Sequence, residues 1–184
     1  YDLMRGGKRV FTAQVTKQGY YESFKAALQS GKDVLYISCS SALSASINTA
    51  IMVADELNKE FSDVKVYCVD SLISSFGQGY LLMEASKKRG EGLSAGETAK
   101  YIESIRLKVN QCGTVESMEY LRRAGRVKAS KAFFGNLAGV KPMGDSNQEG
   151  YVTVLAKAKG IKKALDATVN YVKNVATDIQ NQYI

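Results

Sequence analysis

Apolar positions recur along the chain at two periods, and each change of period marks a change of element. In YYESFKAALQSG, residues 20–31, Tyr21, Phe24 and Leu28 fall three and four apart on one helical face, and Gly31 stands where such a helix ends. DVLYIS, residues 33–38, is a short continuous apolar run rich in strand formers, the pattern of a strand covered on both faces. Leu43, Ile47, Ala50, Ala54, Leu57 and Phe61 then alternate steps of four and three, which predicts one long amphipathic helix. VKVYCVDS, residues 64–71, reads as a second buried strand. Two apolar strands joined by a helix make a βαβ unit, with parallel strands and a right-handed connection.

The pattern continues with a helix over 75–88, whose apolar contacts come from Tyr80, Leu81, Leu82 and Ala85. Ser94 and Glu97 offer a capping box for a helix that buries Ile102, Ile105 and Val109. CGTVES at 112–117 predicts a short strand, SMEYLRRAG at 117–125 a short helix ended by Gly125, and AFFGNLAGV at 132–140 a second short helix or apolar turn. The single proline, Pro142, falls between two strand-like pieces, GVKPM and YVTVLAKAK, with GDSNQEG as the polar turn between them. Ile161, Leu165, Thr168, Val172, Val175 and Ile179 predict a long final helix. The fold class is α/β: βαβ units with a parallel sheet and flanking helices, plus a smaller strand-containing lobe.

Between the first strand and its helix lies CSSALSASINTA, residues 39–50, a run of small and hydroxylated residues. A loop leaving the carboxyl end of a parallel strand and entering a helix is where open α/β sheets place ligands. The first amides of the helix lack internal acceptors and the helix dipole adds positive charge, so a phosphate or carboxylate fits there. Ser40, Ser41, Ser44 and Ser46 add hydroxyl donors, while Ala42 and Ala45 leave room for close approach. The competing reading is that one serine caps the helix and the others solvate a turn. FTAQVT at 11–16 precedes its own helix in the same way, so Thr12 is a candidate for the same clamp, against the alternative of a loop hydroxyl in water. Neither GxxxxGKS nor GxGxxG occurs, and FGQG at 76–79 is a lone pair of glycines that equally marks tight packing.

Composition narrows the chemistry further. With 184 residues, 45% of them hydrophobic, the chain can bury the core of one compact unit. No run approaches the ~20 apolar residues of a membrane span, and no charged-then-apolar signal opens the chain, so a soluble cytoplasmic protein without stable membrane insertion is expected. The absence of histidine excludes a Ser-His-Asp or Cys-His catalytic system within the chain, together with histidine metal sites. Cys39, Cys68 and Cys112 are too widely spaced for close-paired zinc ligands and read as buried thiols, so no metal is expected. The net charge of +7 permits an acidic partner, and RRAGRVKASK gathers Arg122, Arg123, Arg126, Lys128 and Lys131 within one stretch. No nucleic-acid reader motif accompanies it, and the neighbouring Tyr120, Phe133 and Phe134 suit a core better, so no nucleic-acid partner is expected.

Four segments, in order, then carry a resemblance. TAQV at 12–15, SSALSAS at 40–46, VDS at 69–71 and EYLRRAGRV at 119–127 are similar to the TSQP, SSxLSGT, VxDS and eyLkkgGRi motifs of the DegV family of bacterial fatty-acid-binding proteins. The sequence resembles that family over nearly its whole length. The resemblance implies a carrier, not an enzyme, that holds a long-chain fatty acid as its ligand without any cofactor. Such a carrier presents the carboxylate to a fatty acid kinase subunit, which makes an acyl-phosphate for phospholipid synthesis. By the same resemblance Thr12 and Ser44 bind the carboxylate, and Arg126 faces the partner or the phosphate. The chain departs from the motifs at Ala13, Val15, Ala45 and Ser46, where the family carries serine, proline, glycine and threonine. Against the family's pattern, residues 1–184 read as a single DegV-like α/β region without its N-terminal strand and C-terminal HxGPG segment. The alternative function is a small-molecule hydrolase or phosphotransfer enzyme with Ser44 as nucleophile and Asp70, at the end of the second strand, as base.

Overall fold

A computed structural model describes residues 1–115, 123–126 and 139–181. After a short helix α1 (Asp2–Arg5) and an extended stretch, the order is α2 (Lys17–Gln29), β1 (Val34–Ser38), α3 (Ser46–Glu60), β2 (Val66–Asp70), α4 (Ser75–Gly90) and α5 (Ala95–Ile105). A smaller lobe follows, built from β3 (Gly113–Thr114), β4 (Val140–Ser146), β5 (Val152–Lys159) and α6 (Ile161–Val175). The α/β class with its strand-containing lobe is therefore as the pattern predicts. The elements predicted over 117–125 and 132–140 lie mostly outside the described residues, which include only 123–125 of the first, with Gly125 at φ +66, and 139–140 of the second.

β1 and β2 pair in parallel, from Val34 opposite Val66 to Ser38 opposite Asp70. Side chains alternate across a strand, and here both faces are apolar. Val34, Tyr36, Val66 and Cys68 meet a core formed by Tyr20, Phe24 and Leu28 of α2 and Ala50, Val53, Ala54 and Leu57 of α3. Leu35, Ile37, Tyr67 and Val69 meet the opposite core, with Leu81 and Ala85 of α4 and Ala99 and Ile102 of α5. This double covering is why the two strand sequences read as continuous apolar runs. Within the first core the Tyr20 and Tyr36 rings meet edge to face at 5.4 Å, and their hydroxyls hydrogen-bond at 2.9 Å.

Local chemistry sets three of the helix ends. Thr16 caps α2 by accepting the Gly19 N–H at 3.1 Å. Gly31, at φ +73, closes the other end: its N–H reaches the Leu28 carbonyl, and the Lys32 N–H reaches that of Ala27. The predicted capping box opens α5, with the Glu97 N–H on the Ser94 hydroxyl and the Ser94 N–H on the Glu97 carboxylate.

Three elements differ from the periodicity. α3 begins at Ser46, because Leu43 is held in a turn by the Ser40 carbonyl instead of joining the helix. Leu82, expected as a packing contact of α4, is 47% exposed. α6 stops at Val175, where Ala176 turns extended, and Ile179 belongs to a separate 3-10 turn. In the smaller sheet the order is β3-β4-β5, all antiparallel. β4 runs through Pro142, which lies opposite Lys157 of β5, while among the described residues β3 pairs only with Met143 and Gly144.

Candidate functional site at the strand ends

The loops after β1 and β2 lie side by side, and Asp70 fastens them together. Its carboxylate accepts the Ser41 N–H at 3.1 Å and the Leu72 N–H at 3.0 Å. The Ser71 hydroxyl, fully buried, closes the second loop by donating to the Ile73 carbonyl at 2.9 Å. Arg106 braces the same corner from the end of α5, its Nη1 donating to the Asp70 carbonyl at 2.7 Å. Leu72 at φ 54 and Ser75 at φ 46 both occupy the left-handed region without being glycine. Strain of that kind is held only where surrounding bonds over-determine the backbone, as the Asp70 and Ser71 contacts do around Leu72.

Ser40 organises the first loop. It has no solvent exposure, and every polar group it owns is used. Its N–H donates to Ile73, its carbonyl accepts from Leu43 and Ser44, and its hydroxyl accepts from Ala42 at 3.2 Å while donating to the Gly150 carbonyl at 2.9 Å. The last bond reaches across to the turn between β4 and β5. A second link joins the lobes nearby: the Gln111 side chain accepts the Gly77 N–H at 2.8 Å, in the first turn of α4, and the Gln111 N–H donates to Asp145 at 3.0 Å.

Ser44 is half-buried at the entrance to α3. Its hydroxyl lies 2.7 Å from that of Ser46 and accepts the Ser46 N–H at 3.3 Å. The N-cap itself is Ala45, which makes no side-chain cap bond. A serine still meets the first helical amide, since the Ser44 hydroxyl accepts the Ser46 N–H, so the capping alternative keeps this contact. Thr12 is exposed in the stretch before α2. That stretch reaches α3 through Gln14, whose Nε2 donates to the Thr49 hydroxyl at 3.4 Å, one turn inside the helix that Ser44 precedes. Two aromatic rings are exposed, Phe11 at 81%, next to Thr12 in the chain, and Phe76 at 89% in the first turn of α4.

Arg126 is exposed, its Nη1 donating to the Ala124 carbonyl at 2.6 Å. Arg123 is also exposed, while Arg122, Lys128 and Lys131 of the basic cluster lie outside the described residues. Burial raises the Cys39 thiol, and burial pushes Cys68 up to about 11, so both stay protonated at neutral pH. Among the described residues no group of histidine, cysteine or carboxylate side chains is arranged to hold a metal. No described helix is long and apolar enough to cross a membrane. A cavity of about 310 Å³ beside β1, lined by Leu35, Ile37, Leu82, Ala85, Arg89 and Thr98 among others, includes none of the loop hydroxyls.

Thr12, Ser44 and Asp70 were candidates on the sequence, whereas the hydrogen-bonding roles of Ser40, Gly150 and Gln111 were not legible there. Nothing local signals a bond between residues so far apart in the chain. The glycine in the GDSNQEG turn was the one available hint.

Comparison with known proteins identifies the family and the fold. The sequence profile of the family described as "Uncharacterised protein, DegV family" matches residues 1–184. A DegV domain-containing protein of Clostridium perfringens is 33% identical over 165 residues, which is 90% of this chain and 57% of that protein. The fold superposes on a DegV family protein from Thermus thermophilus, described as fatty acid binding, with a TM-score of 0.81 at 26% identity, covering 94% of this chain and 60% of the other. It also matches the Streptococcus pneumoniae Fatty Acid Kinase (Fak) B3 protein loaded with linoleic acid, with a TM-score of 0.77 at 22% identity, covering 88% of this chain and 56% of that one. The chain thus spans less than two thirds of the length of these relatives.

Proposed function

The chain belongs to the DegV family, and from that premise we propose that it is a cytoplasmic carrier of a long-chain fatty acid. Thr12 and Ser44 bind the carboxylate at the entrances to α2 and α3, and a kinase partner converts it to an acyl-phosphate. Arg126, exposed on the surface, serves the partner or the phosphate. The observation that carries the reading is the start of α3. Its cap residue, Ala45, supplies no side-chain acceptor, while the Ser44 and Ser46 hydroxyls stand 2.7 Å apart beside the first turn. A helix end of that kind, with donors in place and a favourable dipole, suits a carboxylate. The exposed Phe11, adjacent to Thr12 in the chain, and Phe76, in the first turn of α4, offer apolar surface for a tail. Fatty acid binding by the Thermus relative and the Streptococcus protein loaded with linoleic acid support the ligand class.

The energetics divide between head and tail. Each buried methylene contributes about 0.8 kcal/mol, so the tail supplies most of the affinity. Each charge-assisted hydrogen bond to the head group adds about 1.5–3 kcal/mol. Ser44→Ala and Thr12→Val are each expected to weaken palmitate binding about tenfold or more, at 1.4 kcal/mol per decade. Hexadecanol, which lacks the charge, should bind all three proteins equally. Because the two hydroxyls share one ligand group, their losses should not add. Strict additivity, or equal losses with the alcohol, overturns the shared carboxylate site.

A hydrolase using Ser44 with Asp70 as base fits the geometry less well. The Asp70 carboxylate is occupied by the Ser41 and Leu72 amides, and the Ser44 hydroxyl is paired with Ser46. An attacking serine needs a base within hydrogen-bond reach. Turnover of generic ester or phosphate substrates that disappears in Ser44→Ala would favour that reading instead.

A further inference from the structure

We infer that Ser40 is the positioning residue of the head-group site and that the β4–β5 turn, through Gly150, is its brace. The inference rests on the fatty-acid reading for its ligand, but its geometry stands alone. Ser40 is fully buried, and its carbonyl accepts the N–H of Ser44 itself at 3.0 Å. Its hydroxyl accepts the Ala42 N–H, so the turn from Ser41 to Ser44 is wound around this one residue. The hydroxyl's single proton goes to the Gly150 carbonyl, 110 residues away in sequence. The Ser40 hydroxyl thus faces one way to the turn that carries Ser44 and the other way to the second lobe.

The brace admits only glycine. Gly150 has φ +81, which side chains rarely adopt, and a Cβ placed there would collide with the Ser40 hydroxyl oxygen. The same Cβ would stand 3.2 Å from the Leu72 backbone, in the loop that Asp70 ties to Ser41. Gly150 therefore touches both strand-end loops at once. The turn is itself well fixed, since the Asn147 side chain accepts the N–H groups of Glu149 and Tyr151. The second lobe acts as a rigid stop against which the head-group turn is set, and seating of the hairpin and seating of the carboxylate are coupled in both directions.

Ser40 does not touch the ligand in this account, so its test must separate positioning from general stability. In Ser40→Ala, palmitate affinity is expected to fall about tenfold, the effect of one buried hydrogen bond at 1.4 kcal/mol per decade, while hexadecanol affinity is unchanged. Equal losses for acid and alcohol would overturn the positioning role. Gly150→Ala should also weaken palmitate, and less so in the Ser40→Ala background, where the oxygen it collides with is gone. Additive losses would overturn the brace. Where Ser40→Ala does not fold, Ser40→Cys keeps the side chain's shape with a weaker donor, and the same acid-to-alcohol comparison applies. Hydrogen exchange without ligand supplies an independent arm. Ser40→Ala should speed exchange at Ala42, Leu43 and Ser44, and unchanged rates there would contradict the geometry. Should wild-type protein bind neither palmitate nor hexadecanol, the fatty-acid reading fails, and the exchange arm still decides the role of Ser40.

Discussion

Asn58 illustrates how one side chain can register a whole strand. Near the end of α3, its Nδ2 donates to the Val66 carbonyl at 3.0 Å, and its Oδ1 accepts the Val66 N–H at 2.8 Å. Both backbone groups of the first β2 residue are satisfied by one amide. Asn58→Ala leaves a buried peptide unit without partners and is expected to cost about 1–3 kcal/mol, read as a lower urea midpoint with an unchanged slope. A midpoint equal to that of wild type would contradict the assignment. The pairing was not legible in the sequence, because an asparagine facing solvent and one facing a strand have the same neighbours in the chain. Ser94 and Glu97 were legible, since both halves of a capping box lie within one turn. Thr12, Ser44 and Arg126 became candidate site residues with assigned roles through the resemblance, and only the loop serines and Thr12 had a physical argument beside it.

At the scale of elements, α5 offers the clearest dependence on pH. The Ser94 hydroxyl, and then its backbone N–H, hold the Glu97 carboxyl below the usual range. A folded value lowered in this way adds stability above the unfolded value of about 4.3, and that stability is lost as pH falls through the lowered folded value. Glu97→Gln should therefore flatten part of the acid limb of a plot of melting temperature against pH. Parallel curves for the two proteins would contradict this.

The buried strands were legible because two covered faces leave no polar position in the run. The start of α3 was misplaced because Leu43 continues the helical spacing although Ser40 draws its N–H into a turn. The last helix was overextended for a related reason. Its periodic residues include Ile161, Leu165 and Val175, which are 48%, 51% and 43% exposed, while Ala164 is buried against the smaller sheet. Periodicity reports an apolar stripe, not what lies against it.

For the whole molecule, the parallel pair of strands carries the loops that hold Ser40, Ser44 and Asp70, and the smaller lobe is tied to that end through the Ser40–Gly150 and Gly77–Gln111 bonds. The α/β class and the second lobe followed from the pattern alone, because each element has its own period. The contact between lobes did not, since each bond joins a serine, glutamine or aspartate side chain to a backbone group that any sequence possesses. Native mass spectrometry of protein purified from bacteria tests most directly whether the protein carries a long-chain fatty acid. The account predicts an added mass equal to one fatty acid, lost on denaturation and restored by palmitate. Protein that is empty as purified and gains no mass with palmitate or oleate would contradict it.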